Sequence, residues 1–497
     1  MQKDKASEGL AAYVGISAPE TPKYLLTNNF LLDYFQQTGE NGKRYDFETF
    51  AKNGVLYTED DQNREKLKES FNVFLKRYLG TQVIQEENKK INTKTKHYYF
   101  PMTQDMLTES APTLRHLLFH LQNYDKKFDF TAMREKLAVY VFGGNAGLSQ
   151  ILKILFQEQD GKVKYAERMS YDATNTFWGK LNDSEQTRMR NLGRQLNTDL
   201  DTLLTHKYFC KLDFYRRYHY LSVLLTSYVI QYIVRRKSNS AFLLCKGGIQ
   251  DVRLEGNIHR ACYNNYAGIR SLFPDLMQTY YCDAVRKEMG EEEKIKIRTE
   301  AGRAYIKERE FNEFAVEVMG RKQRSDNELE FGEIVKAFHL QEGEDKVTVE
   351  EFVLRYINLT KSRTGSTLNK MSSVLPTSGK QIGMVYPDNN ARQKYFAMSG
   401  SLAEFYVRLY LAIKERKYDY LDNFLEFLYD RYRIVIVKSK ENERAVKSVK
   451  PKLSAFDYSK NKAVFIDTLN NANCLIKLSD SGYVVTLPEE KGGLKLV

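Results

Sequence analysis

The stretch from Ser399 to Pro488 constrains this chain most, because its apolar periods, turn signals and length fit a single module. Leu402, Phe405, Leu409 and Ala412 recur at three- and four-residue steps, with Arg408, Lys414, Glu415 and Arg416 on the other side. That spacing predicts an amphipathic helix with one buried face. Leu421, Phe424, Leu425 and Leu428 form a second stripe, and the β-branched run Ile434 to Val437 predicts a strand directly after it. A basic loop follows, containing Lys438, Lys440, Arg444, Lys447, Lys450 and Lys452. Val464, Phe465 and Leu469 then mark a third helix, with Asp457 or Ser459 placed to cap it. Leu475 to Leu478 and Tyr483 to Leu487 flank Ser479-Asp480-Ser481-Gly482, whose Asp and Gly suit a tight hairpin.

Helix, helix, strand, helix and hairpin is the order of a winged-helix domain. Such domains commonly turn the third helix toward the major groove and the wing along the backbone. Lys460, Lys462 and Lys477, with Lys447, Lys450 and Lys452 of the basic loop, are therefore the candidate DNA contacts. Asp457, Asp467 and Asp480 oppose that reading by repelling phosphate, and leave open a module that docks protein instead.

A chain of 497 residues has room for several domains. The expected fold is mainly α and multidomain, with the winged-helix-like α/β module at the C-terminus. The pattern divides into a mixed helical region over 1–160, a helical region over 161–359, a polar linker or loop over 360–398, and the module over 399–497. The formal charge is +12, which favours an anionic partner, nucleic acid being the simplest. Aromatics make up 13%, with 34 Tyr and 28 Phe against a single Trp, so many tyrosines must sit half-buried or seal interfaces. Five cysteines at irregular spacing, without Cys-x-x-Cys, argue for a reducing compartment, and with no signal-peptide pattern the expected location is cytoplasmic.

Tyr208 to Val234 interleaves Tyr208, Tyr215, Tyr218, Tyr220, Tyr228 and Tyr232 with Leu and Val, and ends in Arg235-Arg236-Lys237. It reads as a central core helix, or as an edge that stacks bases and contacts phosphate through Arg235, Arg236 and Lys237. Its Ser, Thr, His and Gln residues make it too polar for a membrane span. Ala138 to Phe142 predicts a strand, and Gly143-Gly144-Asn145-Ala146-Gly147 after it lacks the spacing of a phosphate loop. His116 and His120 share a helical face, but no third ligand is signalled. Pro274-Asp275 with Glu292-Glu293-Lys294 matches the letters of a PD-(D/E)xK nuclease, yet the residues between look helical. No cofactor motif is present.

Phe424 to Tyr432 with the strand Ile434 to Val437, then Lys462 to Leu469 and Leu475 to Gly482, resembles the C-terminal region of accessory proteins from bacterial anti-phage islands. The similarity is to the DptG-type component of phosphorothioation-dependent restriction. It implies a non-catalytic subunit that works with a HerA/FtsK-like ATPase and other defence subunits on DNA. The alternatives are a metal-dependent nuclease with a degenerate site, using Asp275, Glu292 and Lys294, and a purely structural scaffold.

Overall fold

In a computed structural model of the chain, helices carry most of the described residues. These are 26–27, 30–31, 34–35, 63–70, 114–124, 128–143, 181–237, 242–243, 257–289, 296, 299–300, 302, 347–349, 351–352, 355, 367–387, 394–446, 450–479 and 482–490. The chain forms two units, one from 1–20 with 270–374 and one from 21–269 with 375–497. Neither follows the boundaries expected at 160, 359 and 398. The second unit instead joins the C-terminal elements to helices far upstream.

In the first unit Lys296 and Thr348 form an antiparallel bridge, where the charge run around Lys296 predicts a solvated helix. Val347, Val349 and Phe352 are buried beside it. The Thr348 N–H donates to Glu351 and the Glu351 N–H donates to the Thr348 hydroxyl, a capping box that starts the turn holding Phe352.

The second unit opens its helical layer with α1 (Leu114–Asn123), α2 (Phe130–Phe142), α3 (Asp183–Thr205), the short α4 (Lys207–Cys210) and α5 (Phe214–Lys237). Asn182 and Glu185 close a full capping box on α3, whose Met189, Leu192, Leu196, Leu200 and Leu203 form a continuous buried stripe. Gly193 lies on the same helix because α1 passes very close. A Cβ there would come within 2.1 Å of the Leu121 carbonyl oxygen.

Helix α5 is buried on every side from Tyr220 to Val234. Two of its polar residues are matched internally: the Ser222 hydroxyl accepts from Thr27 and donates to the Tyr218 carbonyl, and Gln231 Nε2 donates to the Tyr432 carbonyl at 2.6 Å. This is the core-helix reading of the segment, and no helix among the described residues is long and apolar enough to cross a membrane.

Ala138 to Phe142 is not a strand but the last turn of α2. Asp129 caps that helix by accepting from the Ala132 N–H, and Phe130, Met133, Leu137, Tyr140 and Val141 are buried while Val139 is 69% exposed. The helical burial period overrides the local β propensity of Val and Tyr. Gly144 to Gly147 lie outside the described residues.

The segment expected to be a polar linker also has structure. It holds α7 (Thr367–Gln381), following α6 (Asn257–Met289), then β2 (Val385–Tyr386) and β3 (Tyr395–Phe396) in antiparallel register. Leu375, Ile382, Met384, Val385, Phe396 and Met398 are buried, so short apolar interruptions in a polar stretch were enough to anchor it. Gly383, at φ +77, makes the turn out of α7.

The C-terminal elements are α8 (Gly400–Ile413), β4 (Tyr418–Tyr420), α9 (Leu421–Tyr432), β5 (Ile434–Val435), α10 (Glu443–Val446), α11 (Ala455–Asn471), β6 (Leu475–Lys477) and β7 (Tyr483–Thr486). A three-stranded antiparallel sheet runs in the order β4-β7-β6. The Ile434 run does not join that sheet. It pairs in parallel with β1 (Phe242–Leu243), and the sheet takes its third strand from Tyr418 to Tyr420. Ser454, rather than Asp457 or Ser459, caps α11, and Asp457 answers as the third residue of a capping box.

Candidate nucleic-acid interface

Helix α11 keeps Tyr458, Asn461, Phe465, Thr468 and Leu469 inside and turns Phe456, Ser459, Lys460, Ala463, Asp467 and Asn470 outward. Phe456 is 66% exposed, with the Lys460 ammonium 4.4 Å from its ring centroid, a cation–π contact that holds the cation over the helix surface. Lys462 sits one step round and is engaged, its Nζ 2.5 Å from Asp422 Oδ1 at the start of α9. Lys477 is exposed at the end of β6, in register with Tyr483. Lys450 and Lys452 are exposed before α11, and the Lys450 carbonyl accepts from Asn264 Nδ2. Lys447 lies outside the described residues.

Of the opposing acids, Asp457 is spent on the helix start, accepting from the Ser454 N–H and hydroxyl. Asp422 is paired with Lys462, Asp467 is exposed on the outward face, and Asp480 lies outside the described residues. Between the start of α9, α11 and the β6–β7 hairpin runs a groove of about 360 Å³, lined by Tyr420, Leu421, Asp422, Ser459, Lys462, Ala463, Ile466, Gly482 and Tyr483.

The other predicted basic cluster is placed differently. Arg235 donates to Gln231 Oε1, Gln195 Oε1 and the Arg431 carbonyl, and burial lowers its pKa to about 10. Arg236 is fully buried, with Nη1 2.9 Å from the Tyr232 hydroxyl. The Arg235 guanidinium ties α5 to its neighbours and that of Arg236 is buried against its own helix, which removes both as phosphate contacts; the Lys237 side chain lies outside the described residues. Tyr208, Tyr218, Tyr220, Tyr228 and Tyr232 are likewise buried, and Tyr215 alone of the six is exposed, so they form no continuous stacking edge.

Sequence reasoning missed the polar centre that joins the C-terminal elements to the upstream helices. Asp199 on α3 is completely buried and accepts from the Tyr228 and Tyr432 hydroxyls at 2.5 Å each, and from Arg431 through Nε and Nη2. Burial raises its pKa, and the Arg431 charge and the four donated bonds only partly oppose that. The signal was present but weak: Asp199 falls on the α3 stripe between Leu196 and Leu203, a position that otherwise holds leucine. A second tie is Arg408, also fully buried, which donates to the Tyr208 carbonyl, Glu404 and both oxygens of Glu489. The helical pattern placed Arg408 on a solvent face. In fact Leu402 to Ala412, Glu404 aside, are buried all round, because α8 is packed by α3 on one side and by α11 and β7 on the other.

Beside the Asp199 centre an open cleft of about 740 Å³ presents Arg194, Lys414, Arg416 and Arg431 against Asp419, Glu426 and Asp430. Burial pushes Asp419 up, but bonds from Tyr410, Asn423, the Tyr420 N–H and Arg416 outweigh it and hold the carboxyl below its usual range. The mixture of signs gives the cleft no preference for an anion or a cation. Among the described residues no His, Cys, Asp or Glu cluster is arranged to hold a metal. Asp275 lies within the helix α6, while Glu292 and Lys294 are outside the described residues. His120 is buried, and the His116 side chain is outside them too. No family model, curated protein or solved structure matches this chain.

Proposed function

We propose that the chain is a non-catalytic, DNA-binding subunit of a cytoplasmic bacterial DNA-defence complex, with 399–488 acting as a winged-helix module. The observation that carries the DNA reading is the order α8, β4, α9, α11, β6, β7, with β5 and α10 inserted between α9 and α11, and β7 central in the sheet. It supports a winged-helix reading. On it α11 is the helix for the major groove and the β6–β7 hairpin is the wing. Lys460 and Lys477 then face phosphate, supported by Lys450 and Lys452. The defence context and the HerA/FtsK-like ATPase partner rest on the resemblance of 424–437, 462–469 and 475–482.

The test is fluorescence anisotropy of the full chain with duplex DNA across a salt series, beside Lys460→Glu/Lys477→Glu. Four neutralised phosphates, one for each of these lysines, predict a loss of about 150-fold in affinity between 50 and 200 mM salt. The double variant should bind more weakly with a shallower slope. Salt-independent binding, or none, refutes DNA contact.

A second reading, a protein-docking module, is favoured by two acids on this surface. Asp422 occupies Lys462, and Asp467 stands exposed on the outward face of α11. It predicts capture of the ATPase without DNA and loss of that capture in Asp467→Lys.

A further inference from the structure

The groove between α9, α11 and the hairpin has a feature that duplex binding does not use. Tyr420 is 61% exposed although it ends a strand and begins a helix. Most tyrosines in this part of the molecule are committed: Tyr406 and Tyr410 pack on other rings, and Tyr410 and Tyr432 also donate to Asp419 and Asp199. The side chains of Tyr420 and Tyr483 have neither a hydrogen bond nor a ring partner among the described residues. Two unengaged rings line one groove with apolar Leu421, Ala463 and Ile466 beside them.

The rim carries a cation where the backbone of a strand would run, because Lys477 is the register partner of Tyr483 and cross-strand partners share a face of the sheet. The groove also holds a donor and an acceptor already in contact, Lys462 and Asp422, which suits the polar edge of a base better than a purely apolar side chain. Its volume of about 360 Å³ accommodates one base with room to enter.

From this juxtaposition we infer that the groove receives one unpaired nucleobase, stacked on the exposed ring of Tyr420, while the adjoining duplex lies on α11 and the wing. The inference rests on the DNA reading above and narrows its substrate to duplex ends or junctions that carry a single strand. One stacked base is worth about tenfold in affinity.

The experiment compares the full chain on blunt duplex and on the same duplex with a short single-stranded overhang of either polarity, carrying aminopurine at the first unpaired position. The expected result is about tenfold tighter binding of an overhang, with aminopurine fluorescence quenched by stacking. Tyr420→Ala should abolish both effects and Tyr420→Phe should retain both. Tyr420 is exposed, so the fold should persist in each, as circular dichroism will report. Equal binding of blunt and overhang DNA, both weakened by Lys460→Glu/Lys477→Glu, overturns the groove assignment while leaving the DNA reading standing. Absence of DNA binding overturns both. An overhang preference without quenching, or one unchanged in Tyr420→Ala, also overturns the assignment, and leaves the groove to a protein segment.

Discussion

Replacing Asp199 tests most directly how the C-terminal elements are held. In Asp199→Ala the Tyr228 and Tyr432 hydroxyls each lose a buried acceptor, a cost of about 1–3 kcal/mol apiece, and Arg431 loses its counter-charge. Arg431 is 22% exposed at the cleft, so water recovers part of its solvation. The sum is about 3–5 kcal/mol, the usual cost of removing one partner of a buried pair. Asp199→Asn keeps one acceptor oxygen of the same shape but, like alanine, leaves Arg431 without a counter-charge, so it should cost about 2–3 kcal/mol, less than alanine. Urea denaturation followed by circular dichroism gives both values, and hydrogen exchange of the last turn of α9 locates the effect. An alanine cost below about 1 kcal/mol, or an asparagine cost above that of alanine, would refute the role assigned to the centre.

Two further perturbations follow from the packing. Gly193→Ala drives a methyl into the Leu121 backbone carbonyl, which has no rotamer to yield, so α1 must move off α3, and a loss of about 3 kcal/mol or more is expected in the same urea assay. On the acid side, burial pushes Glu489 up, but its bonds and charge contact with Arg408 hold it below its ordinary value of 4.5. A carboxyl with a lowered folded pKa adds stability above its unfolded value and loses it as pH falls through the folded one. Thermal midpoints should therefore drop below pH 4.5 in the wild type and drop less steeply in Glu489→Gln; parallel profiles would exclude this contribution.

The ties through Asp199 and Arg408 also bear on how the proposed DNA contact is tested. Gln195, Gln231 and Arg235 all donate to carbonyls at the end of α9, and β5 completes its pairing on β1. Removing everything from Ser399 onward would unpair the core of the upstream helices, so point changes on exposed α11 and β6 lysines are the cleaner probe.

The sequence by itself determined the helices of the C-terminal region and their hairpin, because those signals are local: apolar steps of three and four, an Asp and a Gly in a four-residue turn, and β-branched alternation. It also marked Tyr208 to Val234 as one core helix, which holds from Tyr220 on, while the helix breaks before Phe214 and leaves Lys211, Asp213, Tyr215 and Arg216 exposed. Tertiary structure decided what local periodicity does not encode. Arg408 and Asp199 are polar residues buried only because carbonyls, tyrosine hydroxyls and opposite charges from distant segments meet them there. Ile434 and Val435 form a strand whose partner lies nearly two hundred residues earlier, so the sheet recruited Tyr418 to Tyr420 in their place. Arg235 and Arg236 carried the charge of a phosphate contact, but the carbonyls, glutamine oxygens and tyrosine hydroxyl packed around them, not their charge, fixed what they touch.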